Sequence, residues 1–88
     1  MTRALESLRD ELAPPTLLAA VQRAWPNAVG PAIAAAASPT AERGGVVTIS
    51  CSASVWAQEL DLMAPTILPR LNAHLAGQRI ERLRCVAL

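Results

Sequence analysis

Few residues in this sequence have chemistry to offer. There is one histidine, His74, and two cysteines, Cys51 and Cys85, with no Cys-x-x-Cys or His-x-x-x-His spacing among them. A structural zinc site needs a set of four such ligands, so no metal site is expected. His74 is the one side chain that ordinarily titrates near neutral pH, and no serine lies in a Gly-x-Ser-x-Gly turn that it might activate. Gly44-Gly45 is a doublet with no third glycine and no following lysine, which excludes a phosphate-binding loop. Nucleophile, base and oxyanion donors cannot be assembled from this set, so the chain reads as a non-enzyme without a cofactor.

What remains is charge. All eight basic residues are arginines, set against seven acids, for a net charge of +1. That total describes neither a strongly basic nucleic-acid protein nor an acidic tail. The charge is segregated along the chain, however. From Arg70 to Leu88 four arginines face one acid, Glu81, for a net +3, whereas residues 59–69 carry Glu59 and Asp61 and no base, for a net −2. Arg43, Arg70, Arg79, Arg82 and Arg84 are therefore the candidate nucleic-acid contacts. Such a strip meets a few phosphates and binds weakly, with a steep dependence on salt. Its plain alternative is a solubilising strand edge. With two tryptophans and no phenylalanine or tyrosine, a base-stacking platform is excluded.

The elements that must position these residues follow from periodicity. Eighty-eight residues, 52% of them hydrophobic, make one small domain over 1–88. Leu5, Leu8 and Leu12 predict an N-terminal helix within residues 1–13, capped by Thr2 and ended by Pro14-Pro15. The core spans 15–88. Its first helix begins near Pro15–Thr16, with Leu17, Leu18, Val21 and Trp25 on one stripe, and Pro26 is expected to stop it. A short helix over 27–36 follows, with an irregularity or a fresh start inside it at Gly30-Pro31, and Ser38-Pro39 closes the helical half.

Thr40 to Arg43 reads as a short edge strand and Gly44-Gly45 as a hairpin turn. In Val46 to Cys51, Val47, Ile49 and Cys51 alternate with Thr48, Ser50 and Ser52, so the strand has one buried and one wet face. Trp56, Leu60, Met63, Ile67, Leu71 and Leu75 then mark a helical stripe. Pro65 and Pro69 predict a break in it near Ala64, and Gly77 predicts its terminator. Ile80 to Leu88 is the last strand, with Leu83, Cys85 and Ala87 inward and Arg82, Arg84 and Val86 outward. The fold class is α+β: a small three-stranded sheet with helices on one face, in the order helices, β-hairpin, helix, β-strand. Both cysteines fall on inward positions and read as buried, inert thiols.

The stretch Ile49-Ser50-Cys51-Ser52-Ala53-Ser54-Val55-Trp56-Ala57-Gln58-Glu59-Leu60, a strand entering a Ser-rich turn and then Trp-Ala-Gln-Glu-Leu, resembles the DciA family. The rest of the chain agrees in order. Trp25 with Val29-Gly30-Pro31, the turn ending at Pro39, the strand start Gly45-Val46-Val47, the segment Pro65 to Asn72, Gly77 and the closing strand Ile80 to Cys85 extend the likeness over about residues 15–86. Two features depart from it. Ala36, Ala37 and Ser38 stand where many members have His and Thr before the proline. Many members also carry a basic, flexible extension, and this sequence stops at Leu88.

The resemblance implies a fold similar to a K-homology (KH) domain. The Gly-x-x-Gly clamp of true KH domains is missing, which argues against sequence-specific RNA binding through that loop. It also implies a non-enzymatic adaptor that binds the bacterial replicative helicase and assists its loading on DNA, with weak affinity for single- or double-stranded DNA. Trp56, Gln58 and Glu59 become the candidate partner contacts. Their plain readings are a half-buried core anchor for Trp56, and a solvated face near a helix N-terminus for Gln58 and Glu59. Two alternatives stand beside the adaptor: a stand-alone single-stranded nucleic-acid module, and a structural or self-association domain. The N-terminus MTRALESLRDEL has no apolar signal core and no segment is long and apolar enough to span a bilayer, so the expected compartment is the cytoplasm, with no membrane partner.

Overall fold

A computed structural model of the chain describes residues 16–87. The expected N-terminal helix of residues 1–13 lies outside the described residues.

Helix α1 spans Leu17–Val29. Thr16 caps it, its Oγ1 accepting the Ala19 N–H at 3.1 Å, which satisfies one of the orphan amides of the first turn. Val21, Ala24, Trp25 and Ala28 face the core. Gly30, at φ 89°, breaks the path and sends the chain into a second, six-residue helix α2, Pro31–Ala36, with Pro31 at its first position. Strand β1, Ala37–Arg43, follows without a loop. Gly44 and Gly45 both hold positive φ, 59° and 85°, the pattern of the two-residue turn that suits a right-twisted hairpin. Strand β2 is Val46–Cys51, helix α3 is Ser54–Ala73 and strand β3 is Arg82–Ala87.

The sheet order is β1-β2-β3, with β1 antiparallel and β3 parallel to the central β2. Helix α3 makes the crossover that parallel pairing requires. Val47, Ile49 and Cys51 of β2 are fully buried and join Leu60, Ile67 and Leu71 of α3 and Val21 and Trp25 of α1 in one core. Val46, Thr48 and Ser50, the alternate residues, are not part of that core. This is the expected α+β arrangement, consistent with a KH-like description: helices on one face of a three-stranded mixed sheet.

Five expectations need correction, and three share one cause. Pro26 does not stop α1, and Pro65 does not break α3, which runs unbroken through both Pro65 and Pro69. Proline deletes the hydrogen bond to the carbonyl four residues earlier. For these prolines the freed carbonyls belong to Gln22, Asp61 and Pro65, all exposed positions, so water can take the lost bonds. The expected helix over 27–36 is accordingly divided at Gly30, its first part belonging to α1. Ser38 and Pro39 do not close the helical half but lie in β1, paired with Ser50 and Ile49. Proline is tolerated there because β1 is an edge strand, and the register shifts just beyond it, between Pro39 and Ala41. Finally, α3 ends at Ala73, so Gly77 (φ 76°) shapes the turn after it and is not its terminator.

Candidate functional site

Two surfaces emerge from this frame. The first is the open face of the sheet. Register places Arg43, Val46 and Arg82 in one row across the three strands, and Ala41, Thr48 and Arg84 in the next. Paired residues point to the same side, so Arg43, Arg82 and Arg84 share the face away from the core, and all three are exposed. At the far end of this face Thr40 Oγ1 and Ser50 Oγ share a hydrogen bond at 2.9 Å.

The hairpin turn is stitched to the start of β3: the Gly45 carbonyl accepts from the amides of Glu81 at 2.8 Å and Arg82 at 3.3 Å. Glu42 closes the turn, its carboxylate accepting the Gly45 N–H at 2.9 Å. A third clasp comes from Asn72, which accepts the Ile80 N–H at 2.7 Å and donates to the Ile80 carbonyl at 3.0 Å. These contacts fix where Arg82 starts relative to Arg43. Arg70, in the last turn of α3, and Arg79, in the loop before β3, are also exposed but stand off the open face. Because α3 runs back along the sheet, they lie at the end of the molecule that carries the hairpin turn. The structure thus brings three of the five candidate arginines into one strip and leaves two at its rim.

The second surface is the outer side of α3. Successive helical residues are turned by about 100°, so Trp56 and Gln58 sit roughly 160° apart and cannot share a patch. Trp56 is half-buried and packs against the core, whereas Gln58 and Glu59 are exposed. Glu59 is the sixth residue of α3, beyond the first turn where an N-terminal dipole acts. Trp25 is a core residue, 2% exposed, whose indole N–H donates to the Ala37 carbonyl at 2.8 Å. Two residues missed by sequence reasoning lie beside Gln58 and Glu59: Val55, 59% exposed, and Leu62, 79% exposed. The sequence does carry a signal for them, since both are apolar yet fall off the Trp56–Leu60–Met63–Ile67 stripe.

Cys51 and Cys85 are free thiols, the first buried and the second half-buried. Burial, and then the charge of nearby Asp61, pushes the Cys51 thiol up. The same two causes, with smaller contributions from Cys51 and from a hydrogen bond to Asp61, push Cys85 up to about 11. Both stay protonated and poorly nucleophilic at neutral pH. Cys85 pairs with Ile49 and Cys51 with Ala87, a diagonal offset that sets their Cα atoms about 8 Å apart, beyond disulfide reach. His74 is exposed, and among the described residues no group of three His, Cys, Asp or Glu is placed to hold a metal ion. Among those residues, no helix is long and apolar enough to cross a membrane.

The comparisons with known proteins agree with this architecture in extent. The family model described as "Dna[CI] antecedent, DciA" matches residues 1–85. A UPF0232 protein of Rhodococcus jostii is 35% identical over 60 residues, which is 68% of this chain and 32% of that protein. UPF0232 proteins of Streptomyces avermitilis and Streptomyces coelicolor are 32% and 31% identical over 72 residues, covering 80% of this chain and 40% and 38% of theirs. The chain therefore aligns with well under half the length of these relatives. With the match running across both strands of the hairpin, the crossover helix and most of the closing strand, the chain belongs to the DciA family.

Proposed function

We propose that this chain is a non-enzymatic adaptor domain that binds the bacterial replicative helicase, assists its loading on DNA and touches DNA weakly, in the cytoplasm. The observation that carries this reading is the separation of its two surfaces. Arg43, Arg82 and Arg84 share the open sheet face, while Gln58 and Glu59 project from the helix layer on the other side of the core. A domain so built can hold a protein on one side and a phosphate backbone on the other. Membership of the DciA family supports a helicase-associated role for the protein-binding side. Trp56 enters as a support for the helix that presents Gln58 and Glu59, and Arg70 and Arg79 extend the basic strip at its rim.

The test is direct binding of the purified chain to the replicative helicase of its host at near-physiological salt, with Trp56→Ala as the paired control. Micromolar or tighter binding, weakened in a control whose circular dichroism stays native, supports helicase recruitment. No binding at tens of micromolar removes it.

The arginine strip favours a second reading, a single-stranded nucleic-acid module acting alone. Its mark is affinity for an oligonucleotide that falls steeply with salt, without affinity for the helicase.

A further inference from the structure

The outward ridge of α3 combines two properties that a solvated helix face does not need together. Among the described residues, Leu62 and Val55 are the large hydrophobic side chains left exposed, at 79% and 59%, and neither packs against the core. Seven residues apart, they stand two turns along one face, about 10.5 Å from each other along the axis. Gln58 and Glu59 lie between them, three or four residues from each, so the four side chains form one continuous patch. Asp61 flanks it. From Ala53 to Pro69 the chain carries these two acids and no base. The ridge is thus apolar at two points and anionic around them.

We infer that the Val55–Leu62 ridge seats an amphipathic helix of a partner protein, with apolar side chains packing on Val55 and Leu62 and Lys or Arg meeting Glu59. This rests on the adaptor reading for its source, the replicative helicase, and adds the site and the chemistry of the contacting segment. Charge complementarity selects this occupant. A second copy laid antiparallel on the same ridge brings the two Glu59 carboxylates close together with no base to offset them, and a phosphate backbone or an anionic lipid surface meets the same repulsion. The outer face of a helix offers no free backbone ladder for an added strand, whereas its side-chain ridges fit the grooves of another helix at 8–10 Å between axes, the general spacing of such packing. An apolar centre with a polar rim is the usual layout of an interface.

The test has two arms. In the first, isotope-labelled chain is titrated with a synthetic helical peptide bearing leucines seven residues apart and flanking lysines, and with a twin in which glutamate replaces lysine. The expected result is amide shifts concentrated from Val55 to Leu62 with the lysine peptide, and at least tenfold weaker binding by the twin. Equal binding of both peptides, shifts centred on Arg82 and Arg84, or no binding overturns the inference.

In the second arm, V55S/L62R is compared with the unaltered chain for binding to the host helicase. Both positions are exposed, so the fold, checked by circular dichroism, is retained. A loss of about tenfold or more supports the ridge as the seat. Unchanged helicase affinity overturns it while leaving recruitment standing. If the unaltered chain fails to bind the helicase but the peptide arm succeeds, recruitment falls and the ridge stands as a helix seat for another partner.

Discussion

The α3 ridge and the open sheet face are built in opposite ways. The ridge comes from eight consecutive residues, Val55 to Leu62, and its geometry is local: any helix over this segment presents the same patch. The sheet face joins Arg43 to Arg82 and Arg84, nearly forty residues away in sequence, and exists only when three strands hold one register. One surface is anionic and apolar, the other cationic. The net charge of +1 conceals both. Composition near neutrality is thus no guide to whether a small domain has an electrostatic partner; the distribution over elements is.

The sharpest way to break the comparison is to remove the layer that keeps the two surfaces apart. Leu60 is fully buried beneath the ridge. Leu60→Ala is expected to cost about 2–5 kcal/mol in urea unfolding, through lost burial and a cavity, and to weaken binding at both surfaces together. Next comes the clasp. Asn72→Ala leaves the Ile80 N–H and carbonyl without their side-chain partner and is expected to cost about 1–3 kcal/mol. It should loosen the start of β3, and so lower oligonucleotide affinity, while leaving the ridge peptide's affinity unchanged in the folded fraction.

Replacing Arg82 and Arg84 together by alanine addresses the sheet face alone. Oligonucleotide affinity measured by fluorescence anisotropy should fall about tenfold, or about 1.4 kcal/mol. The slope of log K against log salt should shrink by about two. Binding at the ridge should hold.

The smallest effect is a pH dependence beneath the ridge. The Cys85 thiol is raised from 9.0 to about 11 in the folded chain, first by burial and then by Asp61. The unfolded chain therefore ionises first. Stability owed to this group is complete below pH 9 and declines as pH rises from about 9 to about 11. Cys51, raised in the same direction by the same causes, adds to the decline. Thermal unfolding followed across that range should show the fall, and Cys85→Ala should flatten part of it.

Much of this architecture was legible in the residues. The alternation of Val47, Ile49 and Cys51 gave the central strand and its faces, Gly44-Gly45 gave the hairpin, and Arg82 and Arg84 fell outward as their spacing implies. Prolines were the main source of error. A rule about lost hydrogen bonds cannot tell whether the freed carbonyl belongs to an exposed residue, and Gln22, Asp61 and Pro65 are all exposed. The start of β1 was hidden because an alanine-rich run favours helix. What favours the strand is distant: the Trp25 indole holding Ala37, and the pairing of Ala37 with Cys51. At the site, Trp56 and Gln58 lie on opposite sides of α3, a separation that the linear motif hides, whereas Glu59 stands within one turn of both. Val55 and Leu62 form an apolar pair seven residues apart on the side opposite the core stripe, a spacing that the sequence carries but that the stronger core periodicity masks.

The parallel pairing of β2 with β3 also sets an order in time. A tight turn cannot join parallel strands, and about thirty residues separate Cys51 from Arg82. The hairpin of β1 and β2 closes over two residues and can form within microseconds, whereas β3 must wait for the long loop to be closed by α3. On a ribosome the same sequence of events is imposed from the N-terminal side. The helix carrying the acidic ridge is synthesised before the last two arginines of the sheet face, so in a nascent chain a protein partner can be engaged before the complete cationic strip exists.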